Sequence, residues 1–247
     1  YKKLIDECSG RIELKEMHLN GFGESLLDEG IAEKISYAKK KGLKRVYFVT
    51  NASLLTASVA EGIIKAGLDG IKFSIYGITK ESYDKIHRGL NFDVTEENII
   101  NFFKLRETLG FKRPYIKMQF ISQDANRGER ELFFRKWSKF INRKTGDTLL
   151  DFKIHNWADG RAYNKKMGSE KFKSCALPFF CAQVLWNGDA GACCFDFNGV
   201  LKFGNLKDSS LEEIWNGPLY NEFRRKHREG NFSDIPVCST CDQLRTI

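Results

Sequence analysis

The order of apolar and polar positions predicts short strands alternating with helices over the first two-thirds of the chain. Apolar residues such as Ile31, Ile35 and Ala38 recur at helical spacing, and Gly42 provides a stop. Residues 1–8 are predicted to end one helix, and further helices are predicted over 28–41, 57–66, 80–87, 95–109 and 129–142. Strands are predicted over 14–19, 45–50, 70–75, 115–122 and 149–155.

Five strands separated by helices, with continuous apolar content in the strands, are typical of a parallel α/β sheet. An open sheet and an incomplete barrel both fit this pattern. Because the chain opens within a helix, we expect at least one strand before Tyr1. In either architecture the functional loops lie at the carboxyl ends of the strands, which here are residues 21–24, 51, 74–77, 119–123 and 155–161.

The last third of the sequence predicts a small, separate α+β domain. We assign residues 1–160 to the first domain, 161–174 to a polar linker and 175–247 to the second domain. Strands over 182–186 and 192–195 form a hairpin around Asn187 and Gly188, a strong turn pair. Residues 201–203 add a possible strand, and helices follow over 210–216 and 219–229.

Charge and composition exclude several classes of protein. The 247-residue chain has a formal charge of +8, but its lysines and arginines lie mostly on amphipathic helices among acidic residues. We therefore expect solvated helix faces and no nucleic-acid partner, although a positive field helps to gather an anionic substrate. No apolar run reaches the roughly 18–20 residues that span a bilayer. An odd number of cysteines and a CxxC predict a reducing, cytoplasmic environment.

Six of the seven cysteines fall in the last third of the chain, in three local groups. They are Cys175, Cys181, Cys193, Cys194, Cys238 and Cys241. This grouping indicates thiolates that converge on a metal. Four thiolates suit an iron-sulfur cluster, and they equally permit a structural zinc ion.

The cysteine spacing also carries a family resemblance. Cys175, Gly188 and Cys193, followed by the CxxC at Cys238 and Cys241, resemble the C-terminal SPASM or shorter twitch extension of radical S-adenosylmethionine enzymes. Several further segments are similar to the same enzymes: Gly21–Glu24, Thr50-Asn51, Phe73–Gly77, Cys193–Asp196, Phe203–Leu206, Leu211–Trp215 and Phe223-Arg224.

The resemblance implies a partial (β/α)6 barrel of the TIM type, here without its first strand, followed by a SPASM or twitch domain. In such enzymes a 4Fe-4S cluster on a CxxxCxxC loop chelates S-adenosylmethionine, and reduction yields a 5′-deoxyadenosyl radical that abstracts hydrogen from the substrate. This sequence contains no CxxxCxxC, and Cys8 stands alone. We expect that loop, with the second 4Fe-4S cluster, to precede Tyr1.

The resemblance also implies the site residues. An auxiliary 4Fe-4S cluster is expected on Cys175, Cys193, Cys238 and Cys241, while Cys181 and Cys194 are spare thiols or alternative ligands. One auxiliary cluster is the economical interpretation. S-adenosylmethionine is expected to contact Gly21, Gly23, Glu24, Asn51, Ser74, Arg88 and Gln119.

These features predict a radical S-adenosylmethionine oxidoreductase whose auxiliary cluster accepts an electron, and whose substrate is a sugar-like or cyclitol alcohol. The polar segment His155–Arg161 either suits such a substrate or is a strand exit capped by polar residues. An external donor such as flavodoxin or ferredoxin is expected. The alternatives are a peptide-modifying maturase and a non-catalytic metal-binding protein on a degenerate barrel; a nucleic-acid-binding zinc module ranks last. No catalytic side chain is assigned.

Overall fold

The chain divides into two compact units, Tyr1–Lys153 and Ile154–Ile247. The computed structural model describes residues 1–11, 14–154, 175–231, 233–239 and 241. The predicted linker 161–174 and the polar segment from His155 to Arg161 lie outside the described residues, so both stay predictions.

The first unit is built on a parallel sheet whose five strands are neighbours in chain order. This sequential order, with helices between the strands, is that of part of a β/α barrel, and the predicted parallel α/β fold is confirmed. The strands are β1 (Met17–His18), β2 (Val46–Thr50), β3 (Gly70–Ser74), β4 (Tyr115–Ser122) and β5 (Thr148–Lys153). The helices are α1 (Lys2–Arg11), α2 (Ile31–Lys40), α3 (Ala57–Lys65), α4 (Lys80–Ile86), α5 (Phe92–Thr108) and α6 (Arg130–Trp137).

The two faces of this sheet have different chemistry. Phe48, Phe73 and Met118 belong to the face that is buried in a common core with helix residues such as Ile35 and Ile99. The alternate positions form the opposite face, here called the inner face. Strands β3 and β4 therefore alternate in polarity, whereas continuous apolar content was expected. The inner face includes Tyr47, Lys72, Ser74, Tyr115, Lys117 and Gln119.

A buried ion pair holds α5 to the beginnings of β4 and β5. Nη1 and Nη2 of the Arg106 guanidinium donate to the two carboxylate oxygens of Asp147, each at 2.7 Å. The Arg106 side chain is 6% exposed and the Asp147 side chain 0%. The Asp147 carboxylate also accepts from the backbone N–H groups of Ile116 and Asn142. The pair is therefore fully hydrogen-bonded, as a buried charge requires.

Three element boundaries differ from the predicted ones. Strand β1 spans two residues instead of the predicted six. Helix α5 begins earlier, at Phe92, because the side chain of Asn91 accepts from Val94 N–H and caps the first turn. Helix α6 ends at Trp137 instead of Asn142, and the N–H of Phe140 then turns back to the Trp137 carbonyl at 3.0 Å. The predicted cap of α4 by Thr79 is confirmed.

Gly77, after β3, occupies a position where a methyl group has no room. A Cβ there would lie 2.5 Å from the backbone nitrogen of Tyr83. We expect Gly77→Ala to destabilise the protein by about 1–3 kcal/mol, because the backbone of α4 must shift. Gly62→Ala, in the middle of α3, meets only the methyl of Ala32 at 3.7 Å and should stabilise by about 0.5–1 kcal/mol. Urea unfolding of both variants checks the pair, and equal effects would contradict the expectation.

The second unit contains an antiparallel sheet of β6 (Gln183–Val184), β7 (Asp189–Gly191) and β8 (Gly204–Asn205), with helices α7 (Leu211–Asn216), α8 (Pro218–Glu229) and α9 (Pro236–Ser239). The predicted hairpin is present, with Gly188 at φ +91° in its turn. Its second strand is β7, not 192–195, because Leu185 N–H already donates to Asp189 O at 2.9 Å and closes a shorter loop. The third strand, predicted over residues 201–203, is β8 and begins at Gly204.

No helix in the described part of the chain is long and apolar enough to cross a membrane.

Candidate cofactor and iron-sulfur sites

The glycine loop after β1 is tied to the end of β2 by Glu24. Its carboxylate accepts from the N–H of Leu26 at 2.9 Å, the hydroxyl of Thr50 at 2.6 Å and the N–H of Asn51 at 2.8 Å. Gly23 has φ +110°, a conformation that favours glycine. Three donors from the chain use most of the acceptor capacity of a carboxylate. Glu24 thus fixes the position of the loop 21–23.

The loop after β2 contains a strained residue next to Asn51. Ala52 is buried and has φ +63°, which is uncommon for a residue with a side chain. The hydroxyl of Thr50 accepts from its N–H at 2.9 Å, and the amide of Asn98 donates to its carbonyl at 3.0 Å. Asn51 itself uses its side-chain oxygen to accept from Ser53 N–H. The surrounding contacts hold a conformation that the sequence did not reveal.

Ser74 and Gln119 are neighbours on the inner face, because they are register partners on β3 and β4. Gln119 is 7% exposed, and its side-chain oxygen has no hydrogen-bond partner in the described structure. A buried acceptor without a partner is costly, so this oxygen is a candidate acceptor for a donor on a ligand. Tyr76 lies beside Ser74; burial raises the pKa of the Tyr76 hydroxyl, and a hydrogen bond with Ser74 opposes the rise.

Two residues that sequence reasoning missed hold the loop after β3. The amide of Asn126 donates to the carbonyls of Tyr76 at 2.6 Å and Ile121 at 2.9 Å. The Glu129 carboxylate accepts from Ile78 N–H at 2.9 Å and from the Ser82 hydroxyl at 2.7 Å. Both lie after β4, so the ends of neighbouring strands support each other. No local sequence pattern predicts contacts of this kind, because each joins residues on different loops.

Arg88 follows α4 and is exposed. The preceding residue, His87, stacks on the ring of Tyr83 at 4.6 Å and contacts the ring of Tyr76 at 5.2 Å. Burial lowers the pKa of His87 to about 4, so this imidazole is neutral at pH 7. These contacts place Arg88 beside the loop that follows Ser74.

In the second unit, the four cysteines predicted as ligands surround one small cavity. Its lining residues are Cys175, Leu177, Pro178, Cys193, Phe195, Phe223, His227, Val237, Cys238 and Cys241. Cys181 and Cys194 are not among them, and Cys194 is exposed. In the first unit, Cys8 lies buried within α1, and burial raises the pKa of its thiol to about 11.

The thiols around this cavity affect one another. Burial, with the nearby Cys241 and Cys175, raises the pKa of Cys238 to about 12. A hydrogen bond with Cys194, with burial next, raises the pKa of Cys193. When a soft metal cation binds, it lowers the pKa of such buried thiols and converts them to thiolates. The N–H of Phe195 donates to the Cys193 sulfur at 3.3 Å, an interaction that tunes sulfur ligands. The sulfur chemistry of the donor set suits an iron-sulfur cluster, although no three of the described Cys, His, Asp and Glu side chains are already grouped as metal ligands.

Helix α8 supplies two buried basic residues to this region. His227 lines the cavity with 0% exposure, and its Nδ1 lies 2.8 Å from the Phe223 carbonyl, so Nδ1 carries the proton that it donates. The Arg224 guanidinium lies over the adjacent rings of Trp215 and Tyr220, at 4.0 and 4.2 Å from their centroids. It also donates to the Pro178 carbonyl at 2.9 Å, which fixes the segment after Cys175 to α8.

Comparison with known proteins agrees with this arrangement. Residues 175–242 match the SPASM family, an iron-sulfur cluster-binding domain. The structure of BtrN in complex with AdoMet and 2-DOIA superimposes with a TM-score of 0.64 at 16% identity, covering 100% of this chain and 80% of that chain. The Streptococcus suis SuiB structure bound to precursor peptide SuiA has a TM-score of 0.60 at 15% identity, covering 98% and 62%. The chain has the fold of radical S-adenosylmethionine enzymes and carries a C-terminal SPASM domain, so the resemblance drawn from its motifs is confirmed.

Two sequence relatives are similar to this chain. The tungsten-containing aldehyde ferredoxin oxidoreductase cofactor-modifying protein of Pyrococcus furiosus is 22% identical, covering all of this chain and 80% of its own length. The S-adenosyl-L-methionine-dependent 2-deoxy-scyllo-inosamine dehydrogenase of Niallia circulans is 27% identical over 81 residues, which are 33% of this chain and 32% of that protein.

Proposed function

We propose that this chain is a radical S-adenosylmethionine oxidoreductase that dehydrogenates a small polar substrate, with an auxiliary 4Fe-4S cluster as the acceptor of the substrate electron. The observation that carries the proposal is the cavity enclosed by Cys175, Cys193, Cys238 and Cys241. These four thiolates hold the auxiliary cluster, and four sulfur ligands complete a cluster of this type. Hydrogen abstraction and electron acceptance are the chemistry that S-adenosylmethionine and the clusters supply when bound.

The chain's own part is to bind and orient S-adenosylmethionine on the inner face. The backbone of Gly21 and Gly23 lets the cofactor approach closely, since a Cβ at neither position would meet a neighbour within 4 Å. Ser74 binds a ribose hydroxyl, and the free oxygen of Gln119 accepts from a hydroxyl or amino group. Glu24 and Asn51 set the position of the two loops, and the exposed Arg88 pairs with the cofactor carboxylate.

The neighbours favour two substrate classes. The BtrN structure contains 2-DOIA, and the 2-deoxy-scyllo-inosamine dehydrogenase is a sequence relative, which supports a cyclitol-like alcohol. The SuiB structure contains a precursor peptide, which supports a peptide-modifying maturase as the alternative. The auxiliary cluster favours an oxidation, because an oxidation needs an acceptor for the electron that remains on the substrate after hydrogen abstraction. The second cluster, the flavodoxin or ferredoxin donor and the cytoplasmic location stay predictions.

Binding of S-adenosylmethionine tests the proposal. We expect Ser74→Ala to weaken binding about fivefold, because loss of one hydrogen bond costs about 1 kcal/mol. The matched control is Ser138→Ala, whose hydroxyl is exposed and donates only to Arg135 O at 3.1 Å. Isothermal titration of the complete enzyme, with its clusters reconstituted anaerobically, gives both affinities. Equal affinity of the two variants would remove Ser74 from the site, and no binding by the wild type would refute the proposed function.

A further inference from the structure

Helix α8 carries a buried cation, Arg224, to which the proposed function gives no task. The residue is 8% exposed. Its Nε donates to the carbonyl of Pro178 at 2.9 Å, and its Nη1 donates to the carbonyl of Trp215 at 2.6 Å and to the side-chain oxygen of Asn221 at 3.1 Å. All three acceptors are neutral, and Nη2 has no hydrogen-bond partner in the described structure. Among the described residues, Arg224 therefore has hydrogen bonds but no counter-ion.

The next residue of α8, Arg225, is an exposed cation whose charge is compensated. Its guanidinium pairs with the carboxylates of Glu222 at 2.7 Å and Glu229 at 2.6 Å. Arg224 instead lies over two aromatic rings, and cation–π contacts stabilise a cation but leave its charge in place. A buried charge is costly unless an opposite charge compensates it. A negative group in the neighbouring cavity would therefore stabilise this side chain.

Arg224 lies against the wall of the cysteine cavity, because its hydrogen-bond partner Pro178 lines that cavity. The pKa of the Tyr220 hydroxyl shows that the cation and the thiols act on one region. Burial raises this pKa and Arg224 opposes the rise, while Cys181 and Cys193 add to it. Charges interact strongly across a buried region, where little water screens them. The charge of Arg224 therefore reaches the cavity that the cysteines surround.

The rest of this interior is negative when a cluster is bound. Each cluster thiolate carries a negative charge, and the cluster becomes more negative when it gains an electron. Asp196, 3% exposed, adds a carboxylate near Cys238, and it accepts from the N–H groups of Val200 at 3.0 Å and Leu201 at 2.7 Å. Among the buried charged side chains that the structure describes in this unit, Arg224 is the cation. Net charge and burial are two of the factors that set the potential of an iron-sulfur cluster.

We infer that the buried charge of Arg224 raises the reduction potential of the auxiliary cluster and so makes it a better electron acceptor. Arg224 acts through the cluster and has no contact with the substrate. The inference rests on the proposed function, because it takes the cysteine cavity as the site of the accepting cluster. In that reaction the substrate radical loses one electron to the cluster and its hydroxyl proton to water, which leaves a carbonyl. A higher potential makes this transfer more favourable.

Two substitutions of Arg224 separate its charge from its hydrogen bonds. Arg224→Gln removes the charge and keeps N–H donors, whereas Arg224→Lys keeps both a charge and donors. The reconstituted full chain is titrated anaerobically with dithionite, and spin resonance follows the reduced cluster. We expect Arg224→Gln to lower the midpoint potential by about 59 mV, a tenfold change in a one-electron equilibrium, and Arg224→Lys to lower it by less than half of this. An unchanged midpoint in Arg224→Gln, or an equal fall in both variants, would overturn the inference.

Arg225→Gln is the matched control on the same helix. Its charge is exposed and paired with Glu222 and Glu229, so its removal should leave the midpoint potential unchanged. A fall as large as that of Arg224→Gln would show a general effect of net charge and contradict the inference. Iron and sulfide analysis of each variant precedes the titration. Loss of the cluster from both Arg224 variants would make Arg224 only an anchor of the Pro178 segment, and would also overturn the inference.

The same measurements separate this inference from the proposed function. A wild-type chain that forms no iron-sulfur cluster would overturn both. A cluster whose potential does not depend on Arg224 would overturn the inference alone. A cluster whose potential does depend on Arg224, in a complete enzyme that binds no S-adenosylmethionine, would support the inference and refute only the proposed function.

Discussion

Replacement of Cys241 by Ala should remove most of the iron from the second unit. Cys241 lines the cavity with Cys175, Cys193 and Cys238, so the change leaves three thiolates where the cluster needs four. After anaerobic reconstitution we expect about four irons and four sulfides per wild-type chain, fewer than half of these in Cys241→Ala, and none in Cys238→Ala/Cys241→Ala. Iron and sulfide analysis, with visible and spin-resonance spectra, measures the effect.

Cys194→Ala is the matched control for these substitutions. Its side chain is exposed and does not line the cavity; the change removes a hydrogen bond with Cys193 but no proposed ligand, so the iron content of this variant should equal that of the wild type. Full metal content in Cys241→Ala, or loss in Cys194→Ala, would show that the ligand set is wrong. One zinc per wild-type chain without labile sulfide would favour the zinc alternative and deprive the proposed oxidation of its electron acceptor.

Asp147→Ala should have the largest effect on the stability of the first unit. The change leaves the Arg106 guanidinium buried without its partner and orphans the N–H groups of Ile116 and Asn142. Breaking one side of a buried ion pair costs about 3–5 kcal/mol. Urea unfolding, followed by circular dichroism, measures the loss.

An exposed ion pair of the same unit provides the comparison. Arg127 and Asp124 have side chains 84% and 94% exposed, so Asp124→Ala should cost less than about 1 kcal/mol. Arg106→Met/Asp147→Leu should recover part of the loss, because no buried charge then remains without a partner. A cost for Asp147→Ala no larger than that for Asp124→Ala would show that this pair does not anchor the strands.

The order of elements could be predicted from the sequence because it depends on local periodicity and end signals. Thr79 was correctly identified as a helix cap, and Tyr115–Ser122 has the predicted boundaries of β4. Strand β1 was predicted too long, because its limits are set by a partner strand distant in sequence, and the second hairpin strand was placed too late, because Leu185 closes a shorter loop. The apolar content of the strands did not predict which face of each strand packs against the helices.

The candidate sites were predictable to different degrees. The cysteine spacing singled out the four residues that the fold brings around one cavity. The supporting contacts of Asn126 and Glu129 were not foreseen, because each joins loops that follow different strands. The polar inner face of the sheet was equally unforeseen, although the alternation Ile-Lys-Phe in β3 and Ile-Lys-Met in β4 indicates it.

The Glu24 carboxylate has a consequence for how the first unit responds to ligands. Since it accepts from Leu26 on one loop and from Thr50 and Asn51 on the next, neither loop can loosen without breaking bonds of the other. We therefore expect the two loops to loosen and to order together. A molecule that orders the first loop also orders the second, and the conformational entropy of both is lost in a single step.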